Sequence, residues 1–298
     1  MKRVAISDRL FDIFKWIFLI LFTLATLYPI LNTLAVAFND GLDALRGGIY
    51  LWPRTFTLDN FKAVLAKQSL LNAAFISVAR TVIATLSQLF LTSLLAYILS
   101  RKEFIFRTPV TLLFIFTMYL NAGIIPNYMW LNKIGLTNTF WVYILPGMIS
   151  AFNLLVIRTY IHGIPESLVE SAKIDGASHI RIFWSIILPL CKPVLATVAL
   201  FIAVGQWNSW FDAMLYNGFS EKLSTLQYEL MKLLSSVTSQ GANANDMQNA
   251  AQAGGGGMVT PTSVRAATTI VTALPIVCLY PFLQKYFISG LTIGGVKG

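Results

Sequence analysis

Stretches of about 18 or more residues with almost no charge recur along this chain, and each could cross a ~30 Å hydrocarbon layer as a helix. Inside such a layer there is no water to satisfy the backbone, so a spanning segment must close its hydrogen bonds within itself, as a helix does. Six spans are predicted, at Phe14–Phe38, Ala73–Leu99, Thr108–Ile125, Phe140–Ile157, Val194–Leu215 and Ala266–Ile288. The third and fourth are the shortest. The chain therefore reads as an all-α integral membrane protein with one transmembrane domain over 1–298, an inner loop at 159–189 and a larger outer loop at 216–264. Composition agrees: 56% of residues are hydrophobic, 12% are charged, and the mean hydropathy of +0.67 lies far from the soluble range.

The net charge of +9 would suit a nucleic-acid binder, but its distribution points elsewhere. Thirteen of the 22 basic residues fall in segments placed inside, the excess that the positive-inside rule predicts when both termini are cytoplasmic. Ala35-Val36-Ala37 resembles a signal-peptidase site, yet the apolar stretch before it is about twice the usual 7–15 residues, and cleavage would leave an odd number of spans. Cys191 and Cys278 lack metal-ligand spacing and read as two buried, inert thiols. His162 and His179 flank the inner loop and read as solvated loop residues, so no metal site is predicted. No G-x-x-x-x-G-K-[ST] occurs, and the run Gly254–Gly257 is not followed by Lys-Ser/Thr, so the chain has no P-loop of its own and no cofactor is predicted for it.

The inner loop is the most patterned part of the chain. Pro165 suits the first turn of a helix, and Glu166 places negative charge at its positive end. Leu168, Val169, Ala172 and Ile174 are expected to form an apolar side against polar Glu170, Lys173 and Asp175. Gly176 permits a sharp turn, after which Ile180, Phe183 and Trp184 restart an apolar stripe that leads to Pro189. Amphipathicity alone would also fit a helix lying on the bilayer surface. That alternative leaves the glycine and Leu-Pro offsets unexplained.

Glu170-Ser171-Ala172, Gly176, Ile186, Leu188 and Pro189 together resemble the EAA-G-I-LP loop of ABC importer permeases, with Ser171 in place of the middle alanine. The resemblance implies a type I importer fold whose coupling helix docks on an ATPase subunit through Glu170, Ser171, Ala172, Asp175, Gly176, Ala177, Leu188 and Pro189. The tail Ser289–Gly298 and the pair Trp207-Asn208 resemble carbohydrate permeases of the maltose-uptake type. FNLLVIRTYI, QWNSWFDAMLY and YPFLQKYFISG are similar, more narrowly, to the LplC/YtcP-like permeases of Gram-positive bacteria, implicated in complex oligosaccharide uptake. That likeness implies a second permease subunit, two ATPase subunits that bind ATP and Mg, and an extracellular lipid-anchored solute-binding protein. Gly290, Gly294, Gly295 and Lys297 of the tail would touch the ATPase, against the alternative of a disordered terminus.

Candidates for a solute path follow from chemistry that suits sugars, aromatic faces beside hydrogen-bonding groups. Trp207 with Trp210 and Asn208 with Asp212 stand three and four residues apart, which on a continuous helix puts each pair on one face. An aromatic belt at the membrane surface explains Trp210, Phe211 and Tyr216 equally well, and Asp212 could simply be solvated. Arg80, the only charge placed well inside the second span, faces either a cavity or partner, or snorkels to the surface. Asn121 and Tyr128 lie in a polar, broken stretch after the third span, and Asn153 bonds either a neighbouring helix or solute. An ion-coupled secondary transporter is the rival reading. It generally needs acidic or histidine relays within the membrane, and of the thirteen carboxylates only Asp212, near the end of the fifth, falls within a predicted span.

Overall fold

The computed structural model describes residues 6–120, 122–239 and 259–293. Asn121, Gly254–Gly257, Gly294, Gly295 and Lys297 lie outside the described residues. Regular structure among the described residues is helical, apart from one isolated antiparallel bridge between Asn39 and Phe56. The chain divides into two compact units, Met1–Gln68 with Leu230–Leu274, and Ser69–Glu229 with Pro275–Gly298.

The first unit begins with α1 (Ile6–Ala37), whose surface is exposed at every position from Arg9 to Ile30. Only its last turn is buried, and there the orphan carbonyls of a helix end need donors. Asn60, fully buried, donates its amide to Ala37 O at 2.9 Å and Asn39 O at 2.8 Å. Asp40 caps the short α2 (Gly41–Leu45) by accepting from the Leu42 and Asp43 amides. Hydrogen bonds from Asn39, then from Arg54, hold the Asp43 carboxyl below its usual range. Next comes α3 (Asp59–Ala66).

The second unit contains α4 (Gln68–Ser100), α5 (Arg107–Tyr119), α6 (Ile124–Lys133), α7 (Ala151–His162), α8 (Glu166–Ile174), α9 (His179–Ile182), α10 (Leu188–Leu190), α11 (Lys192–Asn208) and α12 (Phe211–Asn217), with a π turn at Phe183–Ile187. Leu99, Leu154, Ile157, Ile161, Val169, Ile182, Phe183, Val194 and Val198 form its main core, which ties α8 and α9 to the long helices. α13 (Leu226–Ser239) and α14 (Pro261–Ile293) contribute residues to both units.

Three helical stretches among the described residues are long and apolar enough to cross a membrane alone: Arg9–Ala37, Gln68–Ser100 and Pro261–Cys278. Two bent pairs, α5 with α6 and His179–Leu190 with α11, bring the number to five. The expected third span ends early, at Tyr119, where Leu120 turns extended at ψ 115°, and Gly123 at φ +89° then leads into α6. The fourth is not one helix. A 3-10 turn at Phe140–Tyr143 is followed by irregular chain to Ser150, where Pro146 lacks a donor and disfavours helix at Leu145. Ser150 then accepts from the Asn153 amide and starts α7. The fifth stops at Asn208, because Ser209 is extended at ψ 118°.

Candidate functional site

The inner loop folds as a helix with a defined stop. Pro165 is the N-cap of α8, one position earlier than expected, and Glu166 is its first residue. Asp175 closes the helix, and Gly176 takes φ +77°. The Ala177 amide then donates to Ala172 O at 2.9 Å and the Gly176 amide to Lys173 O at 2.9 Å. This pair of bonds is a Schellman motif, which satisfies the last carbonyls and turns the chain. Its usual apolar contact is supplied by Ala172 and Ala177, both packed against the main core. Val169 is buried on the same side. Ile174 lies on the opposite, exposed side at 87% exposure, one turn from exposed Glu170, and so does not join the apolar face predicted for it.

After the turn, Ser178 accepts from the Arg181 amide and starts α9. Pro189 has no amide to donate and crowds the carbonyl one turn back. The ladder widens to a π turn ahead of it, and the Leu188 amide reaches Phe183 O. His179–Leu190 then meets α11 at 81°. The Leu-Pro of the motif therefore sits at an elbow between the loop and a spanning helix. A cavity of about 220 Å³ opens beside the Gly176 turn, between Asp175 and Arg181 and floored by Ile182 and Ile186.

The α4–α5 connection holds this loop through residues that the sequence reading did not single out. Lys102 pairs with Glu166 at 2.5 Å, and Lys173 pairs with Glu103. His179 Nε2 lies 3.6 Å from Glu103, and its Nδ1 lies 3.2 Å from the Tyr97 hydroxyl. His179 is thus exposed but engaged, not merely solvated. The hydrogen bond from Lys173 holds the Glu103 carboxyl below its usual range, and the bond from Lys102 does the same for Glu166. The signal was available: adjacent opposite charges, Lys102-Glu103, face the opposite-sign residues Glu166 and Lys173.

Arg80 is 1% exposed and does not snorkel. Its guanidinium donates to both Asp212 oxygens, at 2.5 and 3.2 Å, to Gln206 Oε1 at 2.8 Å and to Ser209 O at 3.3 Å, and lies 4.3 Å from the Tyr143 ring centre. Asp212, expected to be solvated, is the counter-ion, and Ser209 also donates to it at 2.8 Å. Arg80 thus stitches the gap between α11 and α12. Because of that gap, Trp207 with Trp210 and Asn208 with Asp212 are not paired on one helix face. Trp207 is buried, Trp210 meets Phe211 edge-on, and Asn208 accepts from Gln227 at 3.1 Å. Tyr128 stacks on Tyr216, with centroids 6.1 Å apart. Asn153 is buried in the first turn of α7. Gly290 lies in α14. Cys191 is buried, whereas Cys278 is exposed on α14, contrary to the expectation of two buried thiols.

A family model described as "binding-protein-dependent transport system inner membrane component" matches residues 89–293, which include the whole loop, the elbow and the α11–α12 gap. The chain belongs to this family. Protein LplC of Bacillus subtilis is 40% identical over 98% of this chain and 96% of its own length. The polygalacturonan/rhamnogalacturonan transport system permease protein YtcP of the same species is 36% identical over 98% of this chain and 100% of its own. Among solved structures, a bacterial ABC transporter involved in the import of the acidic polysaccharide alginate matches with a TM-score of 0.86 at 27% identity, covering 96% of this chain and 100% of that one. The permease is thus an inner membrane component of an ABC importer, with the all-helical type I fold its loop motif implied.

Proposed function

We propose that this permease carries oligosaccharides across the cytoplasmic membrane as one of two membrane subunits of an ATP-driven importer, with both termini inside. Names of relatives support the sugar class: the similar permeases include a polygalacturonan/rhamnogalacturonan permease and an arabinooligosaccharide permease, and a similar solved structure is an alginate importer. The observation that carries the coupling role is the exposed face of α8, Glu170 with Ile174, which ends in a rigid turn and leads through the elbow to α11. A surface of this kind offers an ATPase subunit a handle. ATP and Mg belong to two such partners. Closure of the ATPase pair draws the coupling helices together and opens the path outward to a lipid-anchored solute-binding protein, and hydrolysis resets it inward. The tail, Gly290 included, adds a second contact to the ATPase.

The test is uptake in proteoliposomes that hold the permease with its partner subunits, loaded with ATP, and given the binding protein and labelled oligogalacturonides or maltodextrins. Uptake should require ATP and persist when ion gradients are collapsed. Uptake driven by an ion gradient without ATP would overturn the coupling half. Failure of every sugar to stimulate ATP hydrolysis would overturn the sugar half.

A further inference from the structure

One face of α4 carries polar groups with nothing to bond. Thr81 Oγ1, Thr85 Oγ1, Gln88 Nε2 and Thr92 Oγ1 are all buried and have no hydrogen-bond partner among the described residues. The residues follow at intervals of four, three and four, so they form a single stripe that rises about 16 Å through the middle of α4. Gln88 and Thr92 are 5% and 1% exposed.

These hydroxyls differ from others in the same kind of helix. Threonine in a helix ordinarily bonds the carbonyl one turn back. Thr23, Thr33, Thr111 and Thr197 all do so, at 2.7, 2.8, 2.6 and 3.1 Å. Ser87 and Ser93, on α4 itself, do so as well. Thr81, Thr85 and Thr92 do not. The stripe is satisfied at one end only, where Ser77 accepts from the Leu226 amide and Arg80 meets Asp212. Gln88 lies against Gly147, whose added Cβ would stand 3.5 Å from its Nε2. Gly147 belongs to the irregular chain between Tyr143 and α7, and non-helical backbone at membrane depth is tolerated where it is buried in protein or lines water.

We propose that Thr81, Thr85, Gln88 and Thr92 form a hydrogen-bonding ladder in the solute path, sealed from water in this conformation and taken up by the hydroxyls of a passing solute when the path opens. The hydroxyl-rich class of that solute rests on the sugar reading above; the path itself does not. A ladder of neutral groups suits passage, because each step binds weakly and exchanges one hydroxyl for the next.

Uptake by shape-preserving variants separates this role from packing, because stability is unchanged or raised in either case. If the stripe only packs, replacing an unpaired buried hydroxyl with a methyl is neutral or stabilising. In the complete transporter, Thr85→Val and Thr92→Val should assemble and melt as wild type or higher, yet slow uptake of labelled oligogalacturonide by about fivefold each, as for one lost hydrogen bond. Wild-type uptake by both would overturn the proposal. Thr81→Cys, Thr85→Cys and Thr92→Cys in a Cys278→Ser background should react with sulfonatoethyl methanethiosulfonate in either the nucleotide-free or the vanadate-trapped state. Absence of labelling in both states, with assembly intact, would also overturn it. Labelling needs no solute, so a labelled ladder in a transporter that moves no sugar would leave the path standing and remove the sugar reading.

Discussion

Arg80 shows how one residue sets the local chain. Its planar fork meets a carboxylate, an amide oxygen and a backbone carbonyl at once, a geometry that lysine cannot reproduce. Removing one partner of a buried pair leaves the other uncompensated, at about 3–5 kcal/mol. Arg80→Ala should therefore lower the melting temperature of the assembled transporter in a fluorescence-detected chromatography assay, and Arg80→Lys should recover little of it. Trp207→Ala should behave similarly, because the side chain is buried and its loss leaves a cavity, at about 3–5 kcal/mol. Any loss of transport in that variant should come with loss of assembly, whereas Asn208→Ala, at an exposed position, should leave assembly intact. The sequence left Arg80 open between a cavity or partner and the membrane surface, and did not point to Asp212 as its counter-ion. Asp212 is 132 residues away, and the helical period was carried across Ser209, where the chain is extended. Pairing across such a distance leaves no local pattern.

Among elements, α8 was the most legible, because its start, its stop and its elbow are each marked by a residue with restricted backbone chemistry: Pro165, Gly176 and Pro189. A Cβ at Gly176 would meet nothing within 4 Å, so the cost of substitution is backbone strain, roughly 1–2 kcal/mol for the left-handed region. Gly176→Val should insert and pair yet lose co-purification with the ATPase, and Gly176→Asn, better suited to that region, should keep most of it. The clamp on α8 makes a separate prediction. Glu103 and Glu166 both titrate below their ordinary value of 4.5, so their contribution is complete above that value and is lost as pH falls through the lowered one. The mobility of a spin label at Ser171 should stay flat from neutral to mildly acid pH and rise only below the ordinary carboxylate range. High salt should raise it at neutral pH, because these pairs are exposed. The broken spans were less legible. All three breaks, at Gly123, Pro146 and Ser209, fall inside segments whose average is apolar, and hydropathy measures only whether a segment prefers lipid, not whether its backbone stays helical.

At the scale of the molecule, the membrane class and the family were both written in the sequence, one in repeated apolar length and the other in one loop. The division into two compact units was not, since it depends on which distant segments meet. Residues Arg9 to Ile30 of α1 are exposed at every position among the described residues. That apolar surface is left for lipid or for another subunit to cover. On the two-permease reading proposed above, a subunit made in excess would keep that helix bare, open to the proteases that survey the membrane. Pulse-chase labelling should show a short half-life for the permease expressed alone and a longer one when the sister subunit is co-expressed; equal half-lives would mean α1 is content in lipid. Matched synthesis of the two permeases would then be enforced by degradation as much as by gene order.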